Sequence, residues 1–302
     1  NRAALPSAGA ASHFGFTGTA LWLDPATGTY MIALSSRLHP DERGDAGPLR
    51  ARLAMALGET LGPLSATELA RRRPELGALL APYIQREVAQ PVLTGIDVLE
   101  ARHFEALRGK RIALLTHRSG VDHQGRRSID VLHRAPDVKL VRLFSPEHGL
   151  ASDSEGEIRD ERDLATGLPI YSLYGVRRRP DPAWLEGLDA VVVDLQDVGV
   201  RFYTYATTLA YLMESAAERK LPVYVLDRPN PIRADVVQGP VLDDDLRSFT
   251  GYWPLPVRHG MTLGELARLF AGEARIAVDL HVVAMQHYRR EQWYEDSGMP
   301  WL

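Results

Sequence analysis

From Thr94 onward, short apolar runs alternate with amphipathic segments, and the two periods read as strands and helices in regular succession. Arg111–Thr116, Lys139–Phe144, Ala190–Leu195, Pro222–Leu226 and Val278–Ala284 are predicted strands, too short for helix cores. Ala190–Val193 is apolar without alternation, as expected of a strand covered on both faces. Between them, Leu99–Leu107, Ile129–His133, Ala206–Lys220 and Leu263–Ala274 are predicted helices; the third sets Leu209, Leu212, Met213, Ala216 and Ala217 at helical spacing. Strands alternating with helices imply an α/β fold with a doubly wound parallel sheet over residues 94–302.

The chain before Thr94 has another character. Thr19–Ser36 reads as strand, turn, strand, with Pro25 and Gly28 marking the turn of a β-hairpin, and a helical stretch follows with Leu49, Leu53, Ala56 and Leu57 on one face. With His13-Phe14-Gly15 ahead of it, this piece resembles the carboxyl-terminal end of serine β-lactamase-type hydrolases and esterases. The match departs at the middle position of the box, and no Ser-x-x-Lys motif occurs in the chain. Residues 1–60 are therefore expected to be a hairpin-plus-helix remnant of a β-lactamase-like domain without its nucleophile. Residues 61–93, with Pro63, Pro74, Pro82 and Pro91, are expected to form a partly helical linker, and Arg71–Arg73 a solvated face.

Each of four predicted strands in the second region is followed by a polar cluster. These are Thr116-His117-Arg118-Ser119, Ser145-Pro146-Glu147-His148-Gly149, Asp194–Tyr205 and Asp227-Arg228-Pro229-Asn230-Pro231. In a parallel sheet those ends share one edge, where open α/β folds bind ligands. One shared site explains four clusters better than four separate structural knots.

Composition narrows the chemistry by exclusion. The 302 residues are 45% apolar and 25% charged, average globular usage, and a net charge of −4 with mixed signs leaves no electrostatic footprint for nucleic acid. The absence of cysteine removes disulfides, thiolate metal sites and cysteine nucleophiles, and no apolar run approaches the roughly 20 residues of a membrane span. There is no GxGxxG after a strand, no GxxxxGK[ST] and no GxSxG elbow. Carboxylates, histidines, arginines, an asparagine and tyrosines remain, a mixture suited to a polyhydroxylated and anionic ligand.

Glycoside cleavage uses one carboxylic acid as proton donor and a second carboxylate or substrate group on the other face of the sugar. Glu147, on a constrained turn at a strand end, is the candidate acid. Asp194, Asp197 and Asp227 compete for the second role, and one of the three is expected to orient Arg201 or Arg228 instead. His117, His123, His133, His148 and His259 offer a metal-site rival, but none shows the spacing of HExxH, and no metal or other cofactor is expected. Arg177–Arg179 and Asp243–Asp245 read as solvated surface, and Trp293, Tyr294 and Trp301 as core of a following element.

The same residues carry a family resemblance. Thr94–Asp97 (TGID), Phe144–Leu150 (FSPEHGL), Thr166–Gly175 (TGLPIYSLYG), Asp194–Tyr205 (DLQDVGVRFYTY), Val225–Pro231 (VLDRPNP), Ser248-Phe249 and Val257–Ala267 (VRHGMTLGELA) resemble, in order, the NamZ-type exo-β-N-acetylmuramidases. The resemblance implies a Rossmann-like domain that removes terminal N-acetylmuramic acid from the non-reducing ends of peptidoglycan fragments, in an extracytoplasmic setting, although the chain shows no signal peptide. It places the family's Pro-Glu-His-Gly glutamate on Glu147, paired here with Asp197 as the second catalytic residue. It also points to His148, Asp194, Gln196, Arg201, Tyr203, Tyr205, Asp227, Arg228, Asn230, Arg258 and His259 as substrate-binding residues. Two departures stand out. Ala151–Asp163 is more acidic than the family's stretch after the PEHG turn, and the chain ends at Trp301-Leu302 before the family's later Pro-Ser-Pro-Asn and Gly-Arg-Gly-Thr regions, so a C-terminally truncated domain is expected. Rival expectations are a muropeptide-binding module without turnover and an accessory part of a serine esterase whose nucleophile lies elsewhere.

Overall fold

A computed structural model of the chain describes residues 90–147, 149–150 and 161–300, and in the front part 11–14, 20–24, 29–33 and a few helical positions between 49 and 56. The chain divides into two compact units, Asn1–Arg86 and Glu87–Leu302. In the first, β1 (Ala11–Phe14), β2 (Ala20–Asp24) and β3 (Thr29–Ala33) form an antiparallel meander. The expected hairpin is its β2–β3 half, with Asp24 opposite Thr29, and β1 adds a third strand that places His13 opposite Leu21. Trp22 and Ala20 are buried. The expected linker at 61–93 lies outside the described residues up to position 89.

The second unit is built on a seven-stranded sheet. Its strands are β4 (Arg111–Thr116), β5 (Lys139–Ser145), β6 (Glu161–Arg162), β7 (Pro169–Ser172), β8 (Ala190–Asp194), β9 (Val223–Leu226) and β12 (Leu280–Val283). They lie in the order β12-β9-β8-β4-β5-β7-β6, parallel throughout except for the two-residue edge strand β6. The chain starts at β4, runs outward through β5 and β7, then returns to β8 on the other side of β4. The strand order therefore reverses between β4 and β8, the point at which such sheets open a crevice at their carboxyl ends.

Alternation along the central strands explains the two layers. Ala113 and Leu115 of β4, with Val191 and Val193 of β8, face one way and pack on α4 (Tyr205–Glu218) and α5 (Leu263–Gly272) through Leu209, Met213, Leu266 and Phe270. Ile112, Leu114, Ala190 and Val192 face the other way, onto α1 (Gly95–Ala101) and α2 (Ser128–His133) through Ile96, Leu99, Ile129 and Leu132. With both faces covered, every residue of β8 and β9 is buried, which is why these strands read as unbroken apolar runs. The expectations of a parallel, doubly wound sheet and of its central strands agree with this architecture.

Differences lie at the margins. The first helix starts at Gly95, capped reciprocally by Thr94 and Asp97, and ends at Ala101, with a 3-10 turn at Glu105–Leu107. Gly95 is required there: a Cβ would stand 2.5 Å from the Leu226 and Asp227 backbone, so helix and strand end approach each other directly. A short helix α3 (Pro182–Leu185) and a hairpin of β10 (Gln238–Val241) and β11 (Pro256–Arg258) were not anticipated. Arg177, Arg178 and Arg179 do not simply face water; their guanidiniums lie over Trp184, Phe249 and Tyr211 at 4.8, 4.5 and 4.0 Å. Trp293 is 43% exposed rather than core, whereas Tyr294 is buried against Val121 and Met299; Trp301 lies outside the described residues.

Candidate active site

Polar residues converge where β4, β5, β8 and β9 end. At the reversal point, the His117 ring after β4 accepts a hydrogen bond on Nε2 from the Gln196 backbone N–H after β8, at 3.0 Å, and meets Tyr205 edge-on. Burial, with Arg228 nearby, pulls the His117 imidazole down to about 3, so it is a neutral acceptor at the strand ends.

One group of side chains is engaged within the protein. Arg228, after β9, is 1% exposed and grips Asp194, at the end of β8, through Nε–Oδ1 at 2.6 Å and Nη2–Oδ2 at 2.9 Å. Nη2 also donates to the Val121 carbonyl, and the Ser128 hydroxyl at the start of α2 donates to Asp194. Burial opposes the Arg228 charge, but the Asp194 carboxylate outweighs it and holds the guanidinium above its ordinary range. Asp227 accepts from the Gly264 and Arg228 N–H groups and from the Thr262 hydroxyl, anchoring the start of α5; burial nevertheless pushes its carboxyl up to about 6. Asn230 bridges the Met261 carbonyl and the Ile232 N–H, and Arg201 donates to the carbonyls of Pro240 and Leu255. Five of the candidate binding residues thus direct polar atoms at the protein itself. A buried strand end must pair its charges, and these do.

A second group is open. The stretch after β8 turns at Gly199 (φ +82°) and joins the β10–β11 hairpin through Arg201 N–H to Val257 O and His259 N–H to Gly199 O. A side chain on Gly199 would also meet Asn230 and Ile232, so this turn demands glycine twice over. The turn brings Asp197 beside His259. Asp197 Oδ2 accepts from the Gly199 N–H at 2.7 Å, while His259 Nδ1 accepts from the Met261 N–H, which leaves the ring proton on Nε2. Nε2 stands 3.2 Å from Asp197 Oδ2 without the alignment of a hydrogen bond.

Among the described residues of this unit, the buried side-chain polar atoms without a hydrogen-bond partner are Ser145 Oγ, Gln196 Oε1, Asp197 Oδ1, Arg228 Nη1, Arg258 Nε and Nη2, and His259 Nε2. Buried polar atoms in native proteins are nearly always paired. Here the exceptions gather at the strand ends and the adjoining β11, so the edge carries unmet hydrogen-bonding capacity that a polar ligand can satisfy.

Glu147 stands on the opposite side of this edge, after β5. Thr204, at the N-cap of α4, makes no capping bond; its hydroxyl donates to Glu147 Oε2 at 2.6 Å, and the Tyr205 hydroxyl donates to the Glu147 carbonyl at 3.3 Å. Tyr203 packs on Tyr205 with ring centroids 4.4 Å apart, and burial, then the charges of Asp197 and Glu147, raise its phenol above the ordinary range. His148 lies outside the described residues. Thr204, His117 and Ser145 fall within the predicted strand-end clusters but were not singled out as catalytic or substrate-binding residues; the signal for Thr204 was a threonine directly before a helix.

Among the described residues, no three His, Cys, Asp or Glu side chains converge as metal ligands, and no helix is long and apolar enough to cross a membrane. A cavity of about 450 Å³ lies elsewhere, lined by residues of α1, α2 and the segments beside them, and contains none of the strand-end residues. Arg126 and Arg127 in its wall are paired with Glu100, Asp122, Asp130 and Asp163.

Residues 112–302 match the family model described as exo-β-N-acetylmuramidase NamZ, N-terminal. The chain is 46% identical over 213 residues to the peptidoglycan β-N-acetylmuramidase NamZ of Bacillus subtilis (strain 168), an alignment covering 70% of this chain and 51% of that protein. Crystal structures of two DUF1343 family proteins from Bacteroides fragilis NCTC 9343 resemble it. One has a TM-score of 0.67 at 41% identity, covering 72% of this chain and 55% of that one; the other has 0.59 at 35%, covering 68% and 55%. The chain spans about half the length of the curated relative it matches. The residues matched by the family model and the 46% identity show that the chain belongs to the NamZ exo-β-N-acetylmuramidase family.

Proposed function

We propose that the protein containing this chain is a glycoside hydrolase that releases terminal N-acetylmuramic acid from the non-reducing ends of peptidoglycan fragments, working outside the cytoplasm. The reading rests on family membership and on one observation above others: the loop after β8 carries both Asp197, with a buried oxygen left without a donor, and Thr204, whose hydroxyl holds Glu147 after β5. Glu147 acts as the general acid, delivering its proton to the glycosidic oxygen, with the Thr204 hydroxyl fixing the carboxyl group's orientation. Asp197 supports the other face of the sugar, its free Oδ1 facing the developing positive charge or a water, while the Gly199 N–H holds the carboxylate in place. The neutral His117 and the tyrosines offer an uncharged floor and stacking surface to the sugar ring.

The test is release of chromophore from an aryl β-N-acetylmuramide by the full-length protein. Glu147→Gln is expected to lower kcat on the order of 10²-fold or more. Unchanged turnover in that variant would refute the assignment of the acid. Calorimetric binding of muropeptides by the wild type with no product formed would instead identify a binding module.

A further inference from the structure

On β11, next to His259 in sequence, one guanidinium has an edge without a partner. Arg258 Nη1 donates to Gln238 Oε1 at 3.0 Å, while Nε and Nη2 are shielded from solvent and have no partner. Those two N–H groups point the same way and form the side of a guanidinium that grips a carboxylate with two parallel bonds. The molecule contains a filled example: Arg228 uses the same Nε/Nη2 edge to hold Asp194. No carboxylate of the described chain fills the corresponding place at Arg258. Asp235, whose charge is felt by Arg258, is itself held by Arg233 at 3.0 and 2.7 Å. Trp293, 43% exposed, lies under the guanidinium, its ring centre 5.9 Å from the Arg258 Cζ and 6.0 Å from that of Arg233.

We propose that Arg258 is the specificity-determining residue of this site, a preformed fork for a substrate carboxylate, with Trp293 as the apolar surface flanking the bound group. This rests on the muramidase reading, since the carboxylate is what sets a muramyl sugar apart from a neutral amino sugar. The fork is already out of water, so a carboxylate that reaches it forms two charge-assisted bonds without paying to desolvate the guanidinium. The shared chemistry has two sources: the free lactyl carboxylate of an unsubstituted muramyl sugar, or a carboxylate of an attached peptide.

The experiment is calorimetric binding of N-acetylmuramic acid, its lactyl methylamide, N-acetylmuramyl-L-alanine and N-acetylglucosamine to the full-length protein as wild type, Arg258→Met and Arg258→Lys, with thermal melting of each. The wild type is expected to prefer N-acetylmuramic acid over both the methylamide and N-acetylglucosamine by about 10- to 100-fold. That preference should collapse to within about threefold in Arg258→Met and return in part in Arg258→Lys, which keeps the charge and loses the fork. A preference carried by N-acetylmuramyl-L-alanine, and dependent on Arg258, assigns the fork to the peptide carboxylate. No preference in the wild type, or an undiminished one in a folded Arg258→Met, overturns the proposal. If Arg258→Met does not melt cooperatively, Arg258→Lys decides, and full wild-type preference there overturns it. Turnover of an aryl β-N-acetylmuramide separates the two readings. Arg258-dependent binding without turnover removes the glycosidase and leaves the fork, whereas turnover with kcat/KM unaltered in Arg258→Met removes the fork and leaves the glycosidase.

Discussion

Two arginines at one edge of one sheet have opposite fates. Arg228 joins β9 to β8 through a two-bonded carboxylate, is fully enclosed, and holds strand ends in register. Arg258, on a hairpin strand added outside the sheet, has the same two-donor edge open. The contrast extends to their neighbours. Asp194, Asp227 and Asn230 are bonded within the protein, whereas Asp197 and Gln196 each retain a buried oxygen without a donor. Groups that tie one strand end to another are paired, while Asp197, Gln196 and Arg258 beside them keep donors or acceptors without a partner. Stability and function thus draw on adjacent residues of the same types.

The largest effect that would break this comparison concerns the filled pair. Asp194→Ala leaves Arg228 charged and enclosed and is expected to cost about 3–5 kcal/mol in denaturant unfolding, whereas Arg228→Met together with Asp194→Leu should recover most of that loss. If Asp194→Ala is as mild as a surface change, the Arg228 edge is not structural.

Next in size are the opposed titrations around the pair. His117 is neutral when folded, at about 3 against 6.5 unfolded, so stability it supports above pH 6.5 is lost as pH falls; by pH 4.5 the loss is about 3 kcal/mol. Asp227 works in the other direction. Its carboxyl, raised from 3.8 to about 6, favours the folded state below 3.8, and that contribution declines as pH rises to 6. The two slopes offset each other in the wild type and separate in variants. His117→Gln should gain about 3 kcal/mol relative to the wild type between pH 7 and 4.5, and Asp227→Asn should lose about 2 kcal/mol relative to it over the same span. Chemical denaturation at both pH values reads the signs, and a shift of the same sign in both variants contradicts the assignment.

The smallest effect sharpens the open side. Asp197→Asn keeps an oxygen for the Gly199 N–H and removes a charge whose second oxygen has no donor, so its unfolding free energy should change by no more than about 1 kcal/mol, while turnover falls steeply. A loss of stability matching that of Asp194→Ala would place Asp197 among the structural groups.

Much of this architecture was legible because burial on both faces leaves a plain mark. β8 and β9 admit no polar side chain until they end, and the polar burst from Asp194 announced the edge of the sheet. β7 and β10 left no such mark. The first is four residues long and half-buried in alternation, and the second is exposed along its whole length, so neither produces an apolar run. The unused cap of Thr204 was visible only as a residue type, since the bond that occupies it crosses 57 positions to Glu147.

By itself, then, the sequence determined the alternation of strands and helices, the collection of polar groups at strand ends, and the family motifs, because each is written in neighbouring residues. Only the tertiary structure decided which arginine edge is filled and which is open. Asp194 and Arg228 are 34 positions apart, and the Asp197–His259 approach depends on the Gly199 turn joining a distant hairpin. Pairing of charges across a sheet edge is set by strand order and by the point where that order reverses, and neither quantity is local to any stretch of chain.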